Sequence, residues 1–162
     1  MNKQPLFGHI LTLILGGFIY ISFRAESLTM FKWFATASLD APIARLRAIT
    51  LTLTPNLPNW FLYSLPDGIW VFSYISLMLL IWKNKINQEN IVYIFSLPLI
   101  AILSEIGQLF KIVPGTFDTI DILFYILGTF SPFIFYTINL PTLKTNTKCT
   151  KSYDTSHPLS QW

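Results

Sequence analysis

The sequence predicts an all-α polytopic membrane protein, a four-helix transmembrane bundle with a long outer loop between its first two spans. Two observations carry that prediction. Only 12% of the 162 residues are charged and 52% are hydrophobic; soluble domains run at about 25% charged, so half that value makes lipid the expected solvent. Apolar runs cover residues 6–23, 90–112 and 118–139, each near the roughly 20 helical residues that cross a hydrocarbon core. A fourth run, residues 67–82, is shorter and is entered through an aromatic-rich segment. Residues 1–139 form the expected membrane domain, and residues 140–162, rich in Thr, Ser, Asn and Lys, a disordered cytoplasmic tail. The single cysteine, Cys149, excludes an internal disulfide. A net charge of +3, spread along the chain, gives no footprint for nucleic acid.

The first run contains Gly8, Thr12 and Gly16 at four-residue spacing, a small-residue ridge suited to close helix packing. His9 falls one turn inside it, as a side chain expected at the interface. Lys3 and the triplet Ala35-Thr36-Ala37 mimic a secretory signal, but Arg24, Glu26 and Lys32 separate the apolar run from that triplet. The run is therefore expected to stay as a membrane helix.

The loop over residues 24–66 offers Ser38 or Asp40 as a cap for a short helix, with Pro42 in its first turn. Ile43, Leu46, Ile49 and Leu53 would share a face lying on the membrane surface. The alternation Leu51-Thr52-Leu53-Thr54 equally suits an extended chain. Asn59-Trp60-Phe61-Leu62-Tyr63 fits the headgroup zone, where Trp and Tyr concentrate.

Pro66 and Asp67 open the second span, because proline has no amide hydrogen to waste and the aspartate complements the positive helix end. Lys83-Asn84-Lys85 closes it. Pro98 in the third span frees the carbonyl of Ile94, and Pro132 in the fourth frees that of Gly128; both predict kinks. Orientation follows from the Lys and Arg outside the spans. Lys3, Lys83, Lys85, Lys144, Lys148 and Lys151 fall on one side, and Arg24, Lys32, Arg45, Arg47 and Lys111 on the other. The excess, with Arg45 and Arg47 distant from any span, predicts both termini in the cytoplasm.

The chemistry concentrates at the hairpin between the third and fourth spans. Glu105 and Gln108 share a helix face three residues apart. If the helix ends near Val113, Glu105 lies about 12 Å below its end, close to the midplane. An acid at that depth costs roughly 2.5–3.5 kcal/mol to insert, so such residues usually face a protein interior or a wet cavity. Beyond Pro114-Gly115, Asp118, Asp121, Tyr125 and Gly128 fall along one face of the fourth helix. The two polar faces are expected to converge on an acidic cleft open to the outside, with Tyr63 and Trp60 near its mouth. Asp118 and Asp121 also fit a helix cap and a first-turn acid, and Gln108 an interhelical hydrogen bond. Asp67 reads as a helix-start residue.

Glu105-x-x-Gln108, a short turn, then Asp121 and Gly128 in an apolar helix resemble the VanZ-like membrane proteins. The turn carries Pro114-Gly115-Thr116-Phe117 where such proteins usually have an arginine, and Tyr125 stands where they have an asparagine. The resemblance implies a protein of the bacterial cytoplasmic membrane connected with resistance to glycopeptide antibiotics such as teicoplanin.

Three functions follow as expectations. The first is a non-catalytic protein binding membrane lipid or a lipid-linked envelope precursor through Glu105, Gln108, Asp118, Asp121 and Tyr125, without a cofactor. The second is an enzyme on a lipid-linked headgroup, with the carboxylates holding a divalent cation or Glu105 as acid–base group. The third is a proton-coupled transporter using Glu105, which with so few helices would need a homo-oligomer.

Overall fold

The computed structural model describes residues 4–138; the expected tail, residues 140–162 with Cys149 and its lysines, lies outside the described residues. All regular structure among the described residues is helical. Seven α-helices follow in order: α1 Gln4–Phe23, α2 Thr29–Thr36, α3 Asp40–Thr50, α4 Asn59–Leu62, α5 Ser64–Ile81, α6 Ile91–Leu109 and α7 Thr119–Phe135, with a 3-10 turn over Leu51–Asn56 between α3 and α4.

Three of these, α1, α5 and α6, are long and apolar enough to cross a membrane. The allocation differs from the expectation at two places. The second run gains length because α5 starts at Ser64, with Pro66 inside its first turn where no amide donor is needed. The fourth run loses length: α7 has 17 residues and stops at Phe135, beyond which Tyr136 is extended (φ −113°, ψ 142°).

Helix α5 lies at the centre. Eight of its 18 residues are buried, against three of 19 in α6. Its Gly68 and Val71 face α7 and its Ser73 side faces α1, while Ile75 and Leu79 are buried in the apolar centre. Gly68 opposes Phe124 and Gly128, while Ser76 Oγ lies 3.2 Å from Tyr136 Oη; α5 and α7 therefore run parallel, in direct contact. Val71, Ile75, Leu79, Ile94 and Tyr136 form the buried apolar centre.

The small residues of α1 serve this packing. A Cβ at Gly16 would stand 2.6 Å from Trp70 Nε1, and one at Gly8 would collide with Tyr136 Oη. His9 is engaged within the protein: its Nδ1 lies 2.8 Å from Ser73 Oγ and 3.0 Å from Ser73 O. It ties α1 to α5 because a polar ring facing a neighbouring helix needs a partner there.

The segment between α1 and α5 is folded rather than looped. Leu39, not Ser38 or Asp40, occupies the N-cap position of α3, and no side chain caps that end. Ser38 instead ends α2 in the left-handed region (φ 57°), with Leu39 N donating to Phe34 O at 2.8 Å. Leu51–Asn56 closes as a 3-10 turn rather than an extended chain. The inward edge of α3 is Arg47 and Thr50; Ile49 and Leu53 stay 71% and 52% exposed, apart from the half-buried Ile43 and Leu46. Arg47 decides this orientation. Its Nη1 donates to Ile21 O at 2.7 Å and to Arg24 O at 2.9 Å, and its Nε to Glu26 Oε1 at 3.2 Å. The last carbonyls of α1 have no intrahelical donor, and a buried guanidinium both satisfies them and offsets the negative helix end.

Candidate functional site

Helix α6 buries one narrow stripe, Ile94, Pro98 and Glu105, spaced by four and seven residues. The pattern asks for an apolar residue at the last position, and a carboxylate occupies it at 5% exposure. Two donors meet it. Gln108 Nε2 donates to Oε1 at 3.2 Å, and the backbone amide of Asp118 donates to Oε2 at 3.4 Å. Glu105 therefore touches the N-cap residue of α7 across the hairpin, where the helix end is positive.

The hairpin brings these groups together by two local devices. Lys111 adopts φ 58°, so α6 closes with Ile112 N donating to Gly107 O at 2.8 Å and Lys111 N to Gln108 O at 3.0 Å. Gly115, at φ 144°, then passes close to Gln108: a Cβ there would lie 2.6 Å from its Cδ. Only glycine combines that dihedral with that approach. Asp118 next caps α7, its Oδ1 accepting from Ile120 N at 2.8 Å.

Asp121 and Tyr125 stand one and two turns into α7. Asp121 Oδ1 is buried without a hydrogen-bond partner among the described residues. Asp67 and Glu105 lie within charge-interaction range of Asp121, and Tyr125 within range of all three acids. The α5–α7 crossing sets this grouping, since a Cβ at Gly68 would stand 2.7 Å from Phe124 O.

Two site residues escape the sequence reading. Asp67 is more than a helix-start residue: it joins the acids and pairs with Arg24, Nη2 to Oδ2 at 3.5 Å. Arg24 Nη2 also donates to Tyr63 O at 3.2 Å, and its guanidinium carbon lies 5.2 Å from the ring centroids of both Tyr20 and Tyr63. A cation between two aromatic faces is held by ring electrostatics as well as by its partners. Arg24 follows directly on the apolar run 6–23, with Tyr20 one turn earlier, and that juxtaposition was the available signal. Trp60 stacks on Phe124 at 5.8 Å and Tyr63 is held by Arg24, so both aromatics are engaged internally.

All five expected site residues thus fall at one end of the helices, joined by Asp67 and Arg24, with Asp118 in a capping role. No three His, Cys, Asp or Glu side chains among the described residues are grouped to hold a metal ion. No family model, curated protein or solved structure matches the chain.

Proposed function

We propose that the chain is a VanZ-like integral membrane protein of the bacterial cell envelope that binds a lipid-linked or cell-wall component at this acidic end. In this reading α7 is a fourth span, both termini are cytoplasmic, and the Glu105–Asp121 hairpin opens outward. The observation that carries the proposal is Asp121 Oδ1, buried without a partner beside Asp67 and Glu105. A buried acceptor left unpaired costs about 1–3 kcal/mol, which a ligand N–H or O–H would recover.

Charge points to the same ligand class. Among the described residues the three acids share one nearby cation, Arg24, which is already committed to Asp67. The excess favours an amine, amide or hydroxyl donor over a phosphate. Binding is favoured over turnover because the carboxylates and phenol of the cluster are ready hydrogen-bond partners for a ligand N–H or O–H. The link to glycopeptide resistance rests on the Glu105-x-x-Gln108, Asp121 and Gly128 pattern. Expression in a susceptible bacterium tests it: wild type is expected to raise the inhibitory teicoplanin concentration and Asp121→Asn to abolish the rise at equal membrane abundance. Equal resistance from both would remove the site from the function.

A further inference from the structure

A cavity of about 330 Å³ lies between α2 and α3, apart from the acidic cluster. Its apolar floor is Phe31, Phe34 and Ile43, and its walls carry two cations, Lys32 and Arg47, and two acids, Glu26 and Asp40. That volume falls at the lower end of the range for small-molecule sites.

Arg47 is what makes the cavity more than a surface dent. Its Nε and Nη1 are spent on Glu26 and on the end of α1, which fixes the guanidinium in place. Its carbon stands 4.9 Å from the Phe31 ring centroid, inside the cavity wall. Nη2 makes no hydrogen bond among the described residues, so a fixed cation lining the cavity keeps one nitrogen with unused N–H groups. A charged N–H donor of that kind suits a single phosphate oxygen.

Position supplies the second part of the argument. α3 is clamped to the last turn of α1, a helix apolar enough to span a membrane; with α1 as a span, as in the proposed function, the cavity falls near the level where hydrocarbon gives way to headgroups. Trp33, 68% exposed on α2, is the residue type that concentrates at that level. A phosphate on the cations would leave Asp40 and the free oxygen of Glu26 for a positive group, and the apolar floor for the start of an acyl chain.

We propose that the α2–α3 cavity is a binding site for a zwitterionic phospholipid with a primary amine, the phosphatidylethanolamine class. The phosphate sits against Arg47 and Lys32, the ammonium donates to Asp40 and Glu26, and the glycerol end rests on Phe34 and Ile43. Phosphatidylcholine offers the phosphate but no N–H donor, and phosphatidylglycerol offers no cation.

The test is photolabelling of the full chain in phosphatidylcholine vesicles containing a few per cent photoactivatable phosphatidylethanolamine. The label is expected within residues 31–47, and unlabelled phosphatidylethanolamine is expected to compete roughly tenfold better than phosphatidylcholine, the worth of one charge-assisted hydrogen bond. Asp40→Asn should remove that preference. Ile43→Trp, which fills the cavity and leaves the Arg47 clamp intact, should abolish labelling while the melting temperature holds. Label spread evenly over the apolar helices, equal competition by the two lipids, or undiminished labelling of a folded Ile43→Trp protein would overturn the proposal.

Discussion

Gly68 and Gly128 bring the backbones of α5 and α7 into contact: a Cβ on Gly128 would run into the carbonyl oxygen of Gly68 and lie 3.2 Å from Val71 Cβ. Asp67 immediately precedes one glycine, and Asp121 and Tyr125 lie within two turns of the other. Apolar packing at one level thus sets the spacing of the acids at the next.

Gly128→Ala should therefore destabilise the protein by about 1–3 kcal/mol, the usual cost of overpacking. The neighbour such a Cβ would meet is backbone, which has no rotamer to escape into. Thermal unfolding in detergent reads the stability, and headgroup binding should weaken with it as α5 and α7 part. Gly17→Ala, where nothing lies within 4 Å of the added carbon, is the matched control and should be neutral.

Arg47→Ala should cost about 3 kcal/mol, because it strands the final carbonyls of α1 in a buried place. Glu26→Gln, removing the other end of the ion pair, should cost under about 1 kcal/mol, since the Glu26 side chain is 73% exposed and water screens the pair. The ratio between the two variants, read by unfolding, distinguishes a helix-end clamp from a simple salt bridge.

A double-mutant cycle on Arg24→Ala and Asp67→Asn should give a coupling of about 0.5–1 kcal/mol in stability. The pair is partly exposed and 3.5 Å long, which keeps the value small. Arg24→Lys should fail to restore it, because a compact ammonium cannot fill the space between the Tyr20 and Tyr63 rings in the same way.

Asp118→Ala and Asp121→Asn should separate structure from binding. The first removes the N-cap of α7 and should cost about 1 kcal/mol of stability while leaving headgroup affinity near wild type. The second removes no hydrogen bond among the described residues and should leave the melting point nearly unchanged while affinity falls about tenfold or more.

The helical class, the long α1 and α6 and the polar hairpin were legible because composition and apolar run length are local properties. Glu105 was legible for a related reason: one acid on an otherwise apolar stripe stands out without any knowledge of neighbours. Asp118 was legible as a cap because capping is decided within three residues. The roles of Arg24, Arg47 and Asp67 were not. Each depends on a partner 21 to 43 residues away, and charge counting treats them as loop or helix-start residues. His9 escaped for the same reason, since Ser73 lies 64 residues on. The orientation of α3 misled because a single buried arginine outweighed the apolar spacing of Ile43, Leu46, Ile49 and Leu53.

The central claim is that Glu105, Asp67 and Asp121 form one ligand site. Native mass spectrometry of the detergent-purified protein, wild type beside Glu105→Gln and Asp121→Asn, tests it most directly. The account predicts that wild type carries a defined adduct, with the mass of an amine- or hydroxyl-bearing lipid-linked headgroup, that both variants lose while remaining folded. The same non-specific lipid on all three proteins would contradict it and would leave the acids as caps and packing groups.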